Sequence, residues 1–297
     1  MAETTSYQDG VVWTSAALAF AGCLWGTGFL FGKIAFREMT VAENVSYRFV
    51  CACVVLIPIL FRKRESFRRR DFGLLVVAAI IGVPVQFLLQ FKGLQLTTVS
   101  HASLIVGTLP VLVALASAVF LGERLDALAW AVLLLSPAGV FVIALSARKG
   151  IVPTGGPTLT GDLLVLVSML AAVVMILITK RLTARYNSLQ ITAWSLVIGA
   201  VLLVGWTECV DPVRFHFSTA VWSAAAAQGL LATAGAYLFW NWGLSRLPAS
   251  RAGVFLNLEP LVGTILGVVV LHETLGLLAI LGGGMILGPA IYFSRRS

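Results

Sequence analysis

Apolar runs of about 20 residues succeed one another along this chain, and that succession limits its fold more than any other feature. As a helix, rising 1.5 Å per residue, such a run crosses the ~30 Å hydrocarbon core of a bilayer. Backbone N–H and C=O groups in lipid must be paired within the structure, so runs of this kind are helices. Ten are legible: Val11–Ala35, Val41–Phe61, Phe72–Gly93, Val99–Leu121, Ala127–Ala147, Gly161–Thr179, Ser188–Trp206, Ala220–Leu244, Ala252–Leu271 and Leu277–Phe293. The expectation is an all-α membrane protein of ten transmembrane helices.

Composition agrees. Of 297 residues, 59% are apolar and 11% charged, against roughly 25% charged in soluble domains. The net charge of +8 would suit nucleic acid. The basic residues lie between apolar runs, however, and form no stripe with stacking aromatics, so no nucleic-acid partner is expected. Cys23, Cys51 and Cys53 lie inside apolar runs, and with Cys209 they match no zinc spacing, which argues against a disulfide framework or metal site. The opening MAETTSYQDG has no Lys or Arg. A secretory signal needs a basic start, so the first span is expected to be retained.

Short connections make successive helices antiparallel. With both termini in the cytoplasm, the inside segments hold 14 Lys and Arg and the outside segments six, the bias of a bacterial inner-membrane protein. The run Arg62–Arg70 supplies much of it and reads as a topology anchor, or more weakly as a site for anionic lipid.

A shift of 150 residues aligns the two halves. Gly93, Ser100, Ala102, Pro110, Leu121, Glu123 and Leu125 match Gly243, Ser250, Ala252, Pro260, Leu271, Glu273 and Leu275. Each repeat then holds five helices, at 1–146 and 161–297, joined by a Pro/Gly-bearing periplasmic linker at 147–160. Because five is odd, the second repeat inserts upside down. Inverted repeats belong to alternating-access carriers, with substrate near the midplane between the halves.

The segments Phe91–Leu125 (FKGLQLTTVSHASLIVGTLPVLVALASAVFLGERL) and Asn241–Leu275 (NWGLSRLPASRAGVFLNLEPLVGTILGVVVLHETL) resemble the fourth-helix region of each repeat in EamA-type carriers of the drug/metabolite transporter superfamily. CLWG at Cys23–Gly26 and SYRFV at Ser46–Val50 are similar to that family's first-helix Trp-Gly and second-helix Arg. The resemblance spans nearly the whole chain, and its specific part is the twice-occurring proline-plus-glutamate pattern. It implies a ten-helix inverted-repeat carrier exporting amino acids or other metabolites, with a YddG-like branch of aromatic and neutral amino-acid exporters as nearest kin. Two departures stand out. Ala171–Ala172 replaces Trp25–Gly26 in the second repeat, and His272-Glu273-Thr274 replaces Gly122-Glu123-Arg124.

Several residues could carry chemistry. Pro110 and Pro260 free the carbonyls of Val106 and Leu256. They read as passive kinks, or as hinges whose carbonyls face substrate. Gln86, Phe87, Gln90 and Phe91 on the third span, and Tyr237, Trp240 and Asn241 on the eighth, correspond under the shift. Amides facing hydrocarbon are costly, so these faces should point inward, either lining a cavity for a neutral amphiphile or packing helix on helix. Trp25 lies in mid-span among Gly22, Gly26 and Gly28, divided between the same two roles. Arg48 and Glu259 are the two clear cases of ionisable residues deep inside spans, at different heights, so no direct pair is expected. Glu259 suits a coupling proton, a substrate ammonium, or a structural place at a helix N-terminus. Glu123 and Glu273 are expected to cap the helices that follow them. His101, near the outer end of the fourth span, reads as a surface histidine, or more weakly as lining the exit.

The leading expectation is export of small neutral metabolites, most of all amino acids, by a carrier whose partners are its small-molecule substrate and membrane lipid. No cofactor and no obligate protein partner is evident. A hydrophobic-cation efflux carrier is the alternative, weakened by the absence of acid between Gly10 and Lys33. Sugar phosphates would need more cationic side chains than Arg48. A non-transporting scaffold would not need buried amides and aromatics, and no nucleophile–base constellation suggests an enzyme. In a cysteine-free background, single cysteines at Ser66 and Ala184 should resist an impermeant maleimide in intact cells while one at Thr154 reacts. Labelling at Ser66 and Ala184 would invert the topology.

Overall fold

The computed structural model describes residues 2–62, 66–121, 137–143, 156–210, 214–244 and 254–296, with 135, 145 and 246. Among these residues the chain is helical almost throughout, without an extended strand. In the first half, α1 (Ala2–Ala35) is followed by α2 (Val41–Arg62) and α3 (Arg69–Ile80). A π turn, Ile81–Val85, leads into α4 (Gln86–Leu96), then α5 (Val99–Val106) and α6 (Leu109–Leu121). In the second half come α7 (Leu159–Thr183), α8 (Ser188–Val210) and α9 (Thr219–Gly229). A second π turn, Leu230–Gly235, joins α9 to α10 (Ala236–Leu244), and a 3₁₀ turn, Val254–Asn257, precedes α11 (Leu258–Leu271) and α12 (Leu277–Arg296).

Five helices are long and apolar enough to cross a membrane: Val12–Ala35, Val41–Phe61, Arg69–Leu96, Leu159–Thr183 and Ser188–Val210. Shorter apolar helices cover Val99–Val113, Phe255–Leu271 and Leu277–Gly288. Most of the expected fifth span, with Glu123, lies outside the described residues. The fourth and ninth spans, expected to be continuous, are broken. The fourth breaks at Gly107–Thr108, ahead of Pro110, which has no N–H to continue the ladder. Thr108 closes the gap with tighter bonds, its N–H and its hydroxyl both donating to the Ile105 carbonyl at 2.9 and 2.7 Å. The equivalent break in the second half falls between the 3₁₀ turn and α11, which places Pro260 in the first turn of a helix. There its missing N–H costs nothing, so Pro260 is not a mid-helix kink of the kind expected.

The helix contacts repeat when the two halves are exchanged. In one direction, α1 packs on α9, α10 and α11; in the other, α7 packs on α3, α4, α5 and α6. Likewise α2 meets α9 as α8 meets α3, while α2 with α8 and α5 with α11 meet across the exchange itself. Glycine permits the closest of these approaches, as small residues do between helices in lipid. A Cβ on Gly26 would lie 2.7 Å from the Glu259 carbonyl and 2.8 Å from the Val262 Cβ. One on Gly93 would lie 2.7 Å from the Gly161 carbonyl.

Gly26→Ala should therefore force α1 and α11 apart and cost about 1–3 kcal/mol, as overpacking does. Gly73→Ala, with nothing within 4 Å of its new methyl, should leave stability unchanged or gain about 0.5–1 kcal/mol. Melting curves of the detergent-solubilised variants check both.

Candidate functional site

The interior is organised around Arg48, which is only 4% exposed. It projects from α2 towards the π turn of the second half. A π turn widens the helix and loosens its regular ladder, and here backbone and hydroxyl oxygens of that turn receive the guanidinium. Nε donates to the Thr233 hydroxyl at 2.6 Å, and Nη2 donates to the Ala232 carbonyl at 3.3 Å. Thr233 donates in turn to the Gln228 carbonyl at 3.1 Å. Phe87, Phe91 and Phe49 bring their rings to 4.6, 5.2 and 5.7 Å from the guanidinium carbon. Their negative faces stabilise the cation, by about 2 kcal/mol where it is desolvated. Among the described residues no carboxylate lies within 4.0 Å of it.

Beside this centre, Trp25 of α1 meets Tyr237 and Trp240 of α10, with ring centroids 5.4 Å apart in both pairs. Phe29 stacks on Phe91 at 6.5 Å, and Phe36 edges against Phe91 at 6.2 Å. Phe36 also lines a cleft of about 450 Å³ at the corner between α1 and α2, with Arg37, Lys92, Gln95 and Val210. The aromatic stack thus runs from the buried centre to an opening at that end. Glu259 sits half-buried in the first turn of α11, whose backbone touches α1 at Gly26. No cationic nitrogen among the described residues lies within 4.0 Å of its carboxylate.

The structure thus brings together Trp25, Tyr237 and Trp240, and sets Phe87 and Phe91 against Arg48. Asn241 goes elsewhere. Its Nδ2 donates to the Thr192 hydroxyl at 2.9 Å, binding α10 to α8, because neighbouring helical positions point about 100° apart. Gln86 and Gln90 are buried, and each keeps an amide oxygen without a partner among the described residues. Such an oxygen is costly unless something else supplies a donor.

Sequence reasoning missed a polar layer at the end of α1. Lys33 Nζ donates to the Thr97 carbonyl at 2.5 Å, and Thr97 Oγ1 donates to Asp162 Oδ1 at 2.5 Å. His101 is buried and meets Asp162 Oδ2 at 3.1 Å, so it is no surface histidine. Glu273 caps α5 of the opposite half, not the helix that follows it. It accepts from the Val99 and Ser100 N–H groups at 2.8 Å each and from the Ser100 hydroxyl at 2.7 Å. The same layer holds Glu43, fully buried, with Arg214 Nε and Nη2 at 2.8 and 2.7 Å. The opposite end is bound by Asp71 with Tyr186 at 2.9 Å and by Gln190 with the Ile59 carbonyl at 2.8 Å. Glu273 and Asp162 lay near helix ends in the sequence, but nothing local showed which helix each would serve.

A model of the EamA-like transporter family matches residues 13–145 and 159–295. The chain belongs to that family. It is accordingly a membrane transporter and not an enzyme. The uncharacterized transporter YetK of Bacillus subtilis is 25% identical over 279 residues, 92% of this chain and 84% of its own. An uncharacterized transporter of Archaeoglobus fulgidus is 28% identical over 276 residues, 91% of this chain and 93% of its own. A probable terminal-alkyne amino-acid exporter of Streptantibioticus cattleyicolor is 28% identical over 293 residues, 97% of this chain and 91% of its own. A crystal structure of a protein 19% identical shares the fold, with a TM-score of 0.65 over 93% of this chain and 96% of that one.

Proposed function

We propose that this EamA-like transporter exports small neutral metabolites, above all amino acids with aromatic or apolar side chains, across the bacterial inner membrane. It does so by alternating access, as a ten-helix protein of two inverted five-helix repeats (1–146 and 161–297), with both termini in the cytoplasm. The observation that carries this reading is the convergence of Trp25, Tyr237 and Trp240, one helical turn beyond Thr233, which holds Arg48. Flat apolar walls beside a buried polar centre suit a small amphiphile such as an amino acid with an apolar side chain.

The end-layer bonds support the inverted arrangement. Lys33 at the end of α1 donates to Thr97 at the end of α4, which donates in turn to Asp162 at the start of α7. The end of α1 therefore lies beside the start of its counterpart. The two π turns, at matching places in the halves, and the breaks before α6 and at the start of α11, give each repeat bending points for rocking about a central site. The relative named as an amino-acid exporter points the same way. A hydrophobic-cation carrier is disfavoured by Arg48, whose fixed charge would repel its cargo.

Proteoliposomes holding the purified protein should take up labelled phenylalanine or tryptophan faster than empty liposomes. Trp25→Ala should lower that uptake about tenfold, the effect of losing ~1.4 kcal/mol of binding. Failure to move any amino acid would defeat the proposal, and export of hydrophobic cations alone would replace it.

A further inference from the structure

We propose that Arg48 is the anchor for a carboxylate on the transported molecule, so that a free carboxylate is what the site demands first. This rests on the reading of the protein as a carrier of small amphiphiles. A guanidinium has five N–H donors in a fixed planar fork. The described residues accept only from Nε and Nη2, through Thr233 and Ala232. The Nη1 edge has no protein acceptor among them. The three phenylalanine rings cover the cation's faces, and a ring face offers nothing to an in-plane N–H. What remains is an edge suited to two parallel bonds from a carboxylate.

Among the described residues, the buried and half-buried carboxylates near the interior are engaged elsewhere or lie out of reach. Glu43 is held by Arg214, Asp71 by Tyr186 and Arg185, Asp162 by Thr97 and His101, and Glu273 by the start of α5. Glu259 makes no ion pair within 4.0 Å of a cationic nitrogen among the described residues. A buried cation without a counter-ion is costly, and a visiting carboxylate relieves that cost in a way a neutral or cationic ligand cannot. With the carboxylate at Arg48, whose partner Thr233 lies one turn before Tyr237, the side chain is directed towards the cluster of Trp25, Tyr237 and Trp240.

Three probes of one shape separate the possibilities: phenylalanine, its amide (no carboxylate) and 3-phenylpropionate (no ammonium). Their affinities for the full-length protein are read by competition in proteoliposomes and by thermal stabilisation. The wild type should bind phenylalanine about thirtyfold or more tightly than the amide, the low end of what losing one partner of a buried charge pair does. 3-Phenylpropionate should still compete. Arg48→Gln should erase the acid-over-amide preference, and Arg48→Lys should keep part of it. If Arg48→Gln does not fold, the wild-type series and Arg48→Lys decide. Equal binding of acid and amide by the wild type, or an unchanged preference in a folded Arg48→Gln, would overturn the assignment while leaving the carrier reading intact. Binding of none of the three would remove the carrier reading with it.

Discussion

A guanidinium buried within an apolar helical bundle is the constraint around which this structure is arranged. A charged side chain at mid-membrane depth costs about 2.5–3.5 kcal/mol even by lenient scales. Arg48 is tolerated because α9 and α10 are joined by a π turn whose oxygens face it, and because three phenylalanines close over its faces. Each feature has a consequence beyond the arginine. The π turn fixes where α10 restarts, and hence where Tyr237 and Trp240 meet Trp25. The phenylalanine stack runs through Phe91 to Phe36 and on to the cleft at the corner of α1 and α2. Removing the positive charge would therefore loosen the walls of the site as well as its centre.

The second constraint is backbone pairing in lipid. Helices that break within the apolar layer must re-satisfy their carbonyls, and this chain does so with its own side chains. Thr108 serves the break before α6, while Arg48 and Thr233 serve the second π turn. The polar groups at the ends of the bundle act across the two halves. Glu273 caps a helix of the first half, and Asp162 of the second half receives Thr97 and His101 of the first. Any rocking of one half against the other has to exchange these bonds for others.

Hydropathy and the 150-residue repeat made the helical membrane class legible, because lipid punishes every departure from long apolar helices. The family likewise showed in the paired proline and glutamate patterns. The breaks were only half legible. Pro110 marks one, but the π turns change the helical period without changing hydropathy, and the second contains no proline at all: its sequence is LLATAG. The aromatic grouping was readable as far as helical spacing reaches, which joined Tyr237 to Trp240 and Phe87 to Phe91. Spacing misassigned Asn241, whose partner Thr192 is 49 residues away. Glu273 and His101 were misplaced for the same reason, since which helix end or carboxylate each meets is set by the packing of one half on the other. Long-range pairing of polar groups leaves no periodic trace in a single sequence.

The most direct test of an interior site shared by both faces of the membrane is thiol accessibility at Tyr237→Cys, in a background lacking Cys23, Cys51, Cys53 and Cys209. A membrane-impermeant maleimide should label this position in right-side-out and in everted vesicles alike, and phenylalanine should slow the labelling in both. Labelling from one side alone, or from neither, would contradict a substrate site that opens to each face in turn.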